Sequence, residues 1–503
     1  MKGLSINKKL FFPTLLILVA VVVIVTINLT AVQENVGNLY DFCIDKFGWF
    51  FIVADVLCLV FSLWIMLGPY KDVRLGGADC KPAFSTFSWS GMMFTTSCGA
   101  WLIVYGFLEP IYCASQAPFQ LEPLSVEAME FGQAYAHFHW GPNAWCIYVP
   151  ISIAIGYILY NRHEKDSAIS AVCKDVFGTR WAKVGGYLAD LFGTLGSVVA
   201  PVISLGTGMP LLITLSKRVL GIETANDATV QLGIFLVWVV LFGTSVVLGL
   251  KKGIKRLSNI NIVMAFIIML IVGLFVGVSK VFAAELNSVG VVLNNYIRMT
   301  CYTDPFGSGS FVRGWTVSYW ACYFVYMPLM GIFNAKISKG RKLKEIAFGQ
   351  LVLCSLGCFA AMATFGNYSM YMQSNSIVDV AGVLNESGEA AAVLAVVDTM
   401  PASKIFAVVL LIILFVFLAT TMDSSSFVVA EITSKHDSGK EEAPRILRVF
   451  WAVFSALLAF VILQIGGAKA VRSLCYIMGV PLAVIAIIIM VAVLKMLKED
   501  TRE

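Results

Sequence analysis

Four aromatic residues, Trp315, Tyr319, Tyr323 and Tyr326, recur at three- and four-residue intervals. At about 100° per residue they fall on one helix face. Trp320 and Cys322 flank this stripe. A second group runs from His139-Trp140-Gly141-Pro142 through Trp145 to Tyr148, and Tyr112 stands alone upstream. Aromatic faces hold a quaternary ammonium group with about 0.5–2 kcal/mol per ring. Such a cation has no N–H to offer a carboxylate, so stacked rings are its natural box. The competing reading is an interfacial belt of Trp and Tyr. A belt accounts for Trp140 or Trp315, but less well for a stripe three turns long.

Oxygen-rich runs suggest a second chemistry. Thr420-Thr421-Met422-Asp423-Ser424-Ser425-Ser426 gathers several hydroxyls, and hydroxyl and carbonyl oxygens suit a hard cation such as sodium. Helix-packing serines are the alternative. Thr95-Thr96-Ser97-Cys98-Gly99-Ala100 lies in the middle of an apolar run. Small and hydroxyl residues there let the backbone unwind, or let two helices cross closely. Glu109, Asp190, Asp423 and Glu431 fall within or at the ends of apolar runs. A carboxylate at mid-bilayer costs about 2.5–3.5 kcal/mol and faces the protein interior. Glu109 and Asp190 read equally well as structural anchors. His137 and His139, two residues apart, point to different sides of a helix, so they read as packing or interface residues and not as a metal pair. No nucleotide-binding loop or Ser-His-Asp arrangement is present, and the acids form no motif with a His or metal cluster. The expectation is a protein that is not an enzyme, with no cofactor, no metal beyond sodium as a coupling ion, and no nucleic-acid partner.

The elements that position these residues are apolar helices. Of 503 residues, 59% are hydrophobic and 13% are charged. That charge cannot cover a soluble globule, which excludes a soluble enzyme, a disordered chain and a secreted disulfide scaffold. Most of the 12 cysteines sit in apolar runs and read as packing residues. Runs of about 20 apolar residues lie near 10–29, 48–68, 88–108, 139–161, 184–214, 229–250, 258–282, 315–337, 346–372, 403–431, 445–465 and 471–494. Pro201 and Pro210 predict a bent or overlong fifth span. With the N-terminus cytoplasmic, alternate loops hold 27 of the 36 Lys and Arg residues, which places both termini inside. The fold expected is an all-α polytopic membrane protein with twelve transmembrane helices and interrupted helices at the midplane. Its domains would be two peripheral helices (1–87), a five-helix repeat (88–282), a connecting segment with an interfacial helix (283–313), a second five-helix repeat (314–494) and a short cytoplasmic tail (495–503). Five spans per unit invert spans 8–12 relative to spans 3–7, the plan of many secondary transporters.

These residues resemble the betaine/choline/carnitine transporter family over nearly the whole chain. The segment Gly314-Trp315-Thr316-Val317-Ser318-Tyr319-Trp320-Ala321, continuing to Ala335-Lys336-Ile337-Ser338-Lys339-Gly340-Arg341, is similar to its signature. Gly106 to Pro110, His139 to Pro142, Lys252-Gly253-Ile254, Leu257-Ser258-Asn259 and Thr421 to Ser424 add to the match. Tyr302-Thr303-Asp304-Pro305 and Leu121-Glu122-Pro123 look closest to the carnitine/γ-butyrobetaine exchanger branch. The resemblance implies alternating access in the cell membrane and a homotrimer. It implies an ammonium box of Tyr112, Trp140, Tyr323 and Tyr326, bordered by Trp145 and Tyr148, with Trp315 and Tyr319 on the extracellular approach. The family's Trp-Ala-Trp-Trp reads here as Trp320-Ala321-Cys322-Tyr323, so a ring is lost and volume is gained at Cys322. Phe417, Thr420 and Thr421 match a sodium site, which Thr95 and Cys98 would complete. Asn261 stands where the sodium-independent exchangers carry an arginine in place of the ion. Met330, shared with those exchangers, and the altered third span point instead to exchange without sodium. The expected function is transport of a methylated ammonium compound of the carnitine, betaine or γ-butyrobetaine type, by exchange. A sodium-coupled osmolyte importer is the alternative, and a receptor or membrane enzyme would need parts this chain does not display.

Overall fold

The computed structural model describes residues 6–98, 100–164, 168–174, 176, 181–248, 255–435 and 443–500. Helices α1 (Lys8–Ile27) and α2 (Leu29–Leu67) lead into α3 (Thr86–Cys98) and α4 (Trp101–Ser115). The run Thr95–Ala100, read in the sequence as a place for unwinding, centres on Gly99, which lies outside the described residues. The expected fourth span is built from three pieces: α5 (Val126–His139), α6 (Pro142–Cys146) and α7 (Val149–Tyr160). Ser125 caps α5 by accepting from Ala128 N, and Pro142 opens α6, where a missing N–H costs nothing. After the short α8 (Ile169–Cys173), α9 (Trp181–Leu220) runs 40 residues. That is about 60 Å, well beyond a bilayer core, with Pro201 and Pro210 inside it.

Helices α10 (Asp227–Leu248) and α11 (Lys255–Val276) precede α12 (Val278–Cys301), a strongly amphipathic connecting helix. A π-helical turn at Val312–Val317 opens α13 (Ser318–Ile337). The next apolar stretch alternates α14 (Leu343–Phe348), α15 (Ser355–Ala361) and α16 (Asn367–Ser374) with π segments at Gly349–Cys354 and Met362–Gly366. Two short helices, α17 (Val380–Ser387) and α18 (Glu389–Asp398), form a hairpin before α19 (Ser403–Thr433) and α20 (Arg445–Asp500). Among the described residues the extended pairings are two isolated bridges, Ile6 with Ser434 and Arg74 with Lys342.

Eight helical stretches among the described residues are long and apolar enough to cross a membrane. Phe266, Ile267, Leu270 and Leu274 on α11 are exposed large apolar side chains, tolerable where the surrounding solvent is hydrocarbon. The chain is a multi-pass helical membrane protein.

The basic loops gather at one end of the bundle. Asn7 N bonds Thr433 O, Arg74 donates to Gly340 O, Tyr160 OH donates to Lys336 O, and Lys336 pairs with the buried Glu431 at 2.9 Å. Arg162 reaches Asp500 at 2.8 Å at the same end. Trp451, near the start of α20, also lies there, donating to Thr433 Oγ1. A straight helix of 56 residues would measure about 84 Å. Because Trp451 and Asp500 share one end, α20 runs out through the bundle and returns.

Candidate functional site

A cavity of about 820 Å³ opens at the end of the bundle opposite the basic loops. Trp101 and Tyr105 of α4 form one wall, and Trp315, Tyr319 and Cys322 form another. Gly206 and Pro210 of α9 line it further, while Glu389, at the start of α18, borders it with Asp41 and Tyr476. Trp101 and Tyr105, one turn apart on α4, line the same space.

The rings form a connected series. Tyr112 and Trp315 are 4.7 Å apart and Trp315 and Tyr319 are 6.2 Å apart. Tyr105 and Trp101 lie 6.2 and 6.3 Å from Tyr319. Behind Tyr319, Tyr323 stands within 6.5 Å of five rings, those of Tyr319, Trp140, Trp145, Tyr148 and Trp320. The two ring groups noticed in the sequence thus meet at Tyr323. Trp101 also touches Tyr326, whose hydroxyl lies 2.7 Å from Ser204 Oγ.

A buried carboxylate holds the wall in place. Glu109 Oε2 accepts from Tyr319 OH at 2.6 Å and from Trp140 Nε1. Its Oε1 lies 2.8 Å from His139 Nδ1, and His139 Nε2 lies 3.0 Å from Thr316 Oγ1. The geometry suits an imidazole that donates through Nδ1 and accepts through Nε2. Tyr323 OH donates to His139 O, and Trp145 Nε1 to Trp140 O. Three helices, α4, α5 and α13, are therefore tied by one carboxylate. Three hydrogen bonds converging on one carboxyl group fix the orientation of these rings.

Residues 9–502 match the family model for betaine/carnitine/choline family transporters. The chain belongs to this family. It is a transporter of small molecules embedded in a membrane, not an enzyme. Among solved structures, the chain is similar to one titled as the substrate-bound outward-open state of a Na+-coupled sialic acid symporter. That likeness has 11% identity and a TM-score of 0.47, covering 87% of this chain and 85% of that one.

Within the transporter, the cavity reaches the sequence-predicted Trp315, Tyr319 and Cys322 directly. Tyr112 sits beside Trp315, away from Tyr323, with its hydroxyl on Glu389. Trp140, Trp145 and Tyr148 are buried behind Tyr319. Trp320 is turned toward Phe138 and His139. Met330 is fully buried in α13. Phe417, Thr420 and Thr421 are buried together on α19, where both threonine hydroxyls donate to Phe417 O. The side chains of Thr95 and Cys98 lie outside the described part of the structure.

One reading needs correction. The intramembrane acids were expected to form no motif with a histidine, yet Glu109 pairs with His139. Glu109, Cys113 and His139 even bring three potential ligand atoms within 4.8 Å of one another. His137, read as a packing or interface residue, sits between two helices: its Nε2 lies 2.7 Å from Glu285 Oε2, joining α12 to α5. The two histidines do face different sides, but their partners are 30 and 148 residues away, beyond any local pattern. Asp190 accepts from Ser170 N and so anchors α8. Trp101, Tyr105 and Glu389 line the cavity without having been singled out. Asp55 was also missed. It is fully buried in α2 and accepts from Asn143 Nδ2 at 2.7 Å. Its place inside an apolar run was the available signal for it.

Proposed function

We propose that the transporter carries methylated ammonium compounds bearing a carboxylate, of the carnitine, betaine or γ-butyrobetaine type. The observation that carries this reading is the cavity walled by Trp101, Tyr105, Trp315 and Tyr319. Ring faces hold a cation that cannot donate hydrogen bonds. Cys322, in place of a larger residue, leaves room for a substrate longer than glycine betaine. By the positive-inside rule the basic end is cytoplasmic, so the cavity faces outward and both termini lie inside the cell membrane. Twelve spans in two inverted five-helix repeats would then alternate access by moving one repeat against the other, in a homotrimer.

For coupling, Met330 and the altered third span favour exchange. A specific observation favours the second reading, sodium coupling. Asn261 is fully buried and, among the described residues, neither its amide nitrogen nor its amide oxygen has a hydrogen-bond partner. Ala265 and Ile268 of α11 share an apolar gap with Ile413 and Phe417 of α19. The two helices run antiparallel, so one turn toward the basic end brings Asn261 to the level of Thr421. The threonine hydroxyls spend their protons on Phe417 O and keep lone pairs for a cation. An orphaned buried amide is costly unless something polar joins it.

The test is uptake of labelled carnitine and betaine into proteoliposomes, with and without a sodium gradient and with and without internal substrate. Uptake that needs preloading and ignores sodium establishes exchange. Uptake into empty vesicles driven by sodium establishes sodium coupling, and loss of that dependence in Thr421→Ala would assign the ion to Asn261, Thr420 and Thr421. No uptake of any methylated ammonium compound would overturn the substrate assignment.

A further inference from the structure

We propose that Glu389 is a charge filter at the mouth of the outer cavity, a specificity determinant that admits ligands with their cationic end leading. This rests on the substrate class proposed above. Helix α18 starts at Glu389 directly after Gly388, which has φ +84°. That left-handed conformation is easy for glycine and strained for other residues, and it sets the carboxylate on the first turn of the helix. From there Glu389 Oε1 accepts from Tyr105 OH at 3.3 Å and Tyr112 OH at 3.1 Å. Both tyrosines belong to α4. The carboxylate is thereby held in the cavity wall between the rings that precede Trp101 and Tyr319, and Asp41 adds a second acid to the lining.

A zwitterionic ligand passing this point meets opposite forces on its two ends. Its carboxylate is repelled by Glu389 and its ammonium group is attracted, so the ammonium enters first. The deeper rings then receive the end they can bind. A purely cationic ligand gains more from the same charge, and a net anion is rejected. The attraction is Coulombic and acts at the cavity mouth, so salt screens it.

The test compares wild type and Glu389→Gln in proteoliposomes, using choline as the net cation and betaine as the zwitterion, at low and high ionic strength. Glutamine keeps an acceptor for both tyrosine hydroxyls and removes the charge. The expected result is a KM for choline raised about tenfold, a smaller rise for betaine, a weaker effect on maximal rate, and a KM that responds much less to salt, with Asp41 supplying what response is left. Glu389→Asp should restore the salt response. Should Glu389→Gln not insert, Glu389→Ser removes the same charge and reads out the filter by the same KM and salt response; Tyr112→Phe, which releases one tether but leaves the charge, should keep the salt response. Unchanged KM values and an unchanged salt response in Glu389→Gln would overturn the filter while leaving the substrate assignment standing. A wild-type protein that carries neither compound nor any other methylated ammonium would instead remove that assignment.

Discussion

Glu109 and Tyr319 are coupled through one hydrogen bond, and their separate roles can be read apart. Tyr319 offers the cavity its ring and gives Glu109 its hydroxyl. Tyr319→Phe keeps the ring, so ligand binding followed by tryptophan fluorescence should weaken only a few-fold. Tyr319→Ala removes a ring and should cost tenfold or more. Equal losses in the two variants would show that the hydroxyl, not the ring, is what the ligand needs. Glu109→Gln turns one acceptor into a donor that faces an existing donor, leaving a buried group unsatisfied at about 1–3 kcal/mol. A lowered thermal midpoint in detergent checks this. Cys322 lines the same cavity. A thiosulfonate reagent carrying a trimethylammonium group should modify it from the outside, and saturating substrate should slow that modification several-fold. Labelling that substrate leaves untouched would place the bound ligand elsewhere.

At the scale of elements, the α17–α18 hairpin is fastened at both ends of α18. Glu389 holds α4, and Asp398 pairs with Arg218 of α9 at 3.2 Å. The Arg218 pair is partly exposed and contributes at most about 1 kcal/mol. Arg218→Ala should leave the overall melting unchanged while speeding amide exchange in 389–398, since local opening depends on local ties. Asp379 caps α17 by accepting from Gly382 N. That hydrogen bond, with help from Gln373, holds its carboxyl below the usual range. A depressed carboxyl stabilises above its unfolded pKa and loses that contribution as pH falls below it. Protection in 380–387, taken relative to the intrinsic exchange rate at each pH, should therefore fall in acid, and Asp379→Asn, itself a good cap, should abolish that fall.

The same elements show what the sequence makes legible. The stripe on α13 follows from spacing alone, and Tyr319 and Cys322 reach the cavity from it. What spacing cannot give is which side of a ring faces space. Tyr323 and Trp140 share every compositional feature of Tyr319, yet they pack against each other, and the opening lies toward Trp101 and Tyr105. That choice is made by Glu109 and His139, a contact between distant segments with no local trace. The three-piece construction of the expected fourth span has local signals, Gly141-Pro142 and Pro150. The continuity of α9 through two prolines runs against the local rule.

For the whole molecule, the decisive asymmetry is that the cavity is open at one end and closed toward the basic end. The closure on the basic side is made of buried side chains. Tyr323 is enclosed by five rings, Tyr326 reaches Ser204 of α9, and Lys336 pairs with Glu431 between α13 and α19. Alternating access requires the mouth to narrow before that packing loosens. Ser387 and Asp41 line the mouth from the α17–α18 hairpin and from α2. Spin labels at Ser387→Cys and Asp41→Cys, in a protein whose Cys80, Cys301 and Cys322 are replaced, should therefore approach each other when substrate binds. The outer positions would shorten in distance while a label pair across Tyr160 and Lys336 stays fixed until turnover begins. Transport with an unchanged mouth distance would mean that the hairpin does not close, and that passage is controlled at the rings around Tyr323 instead.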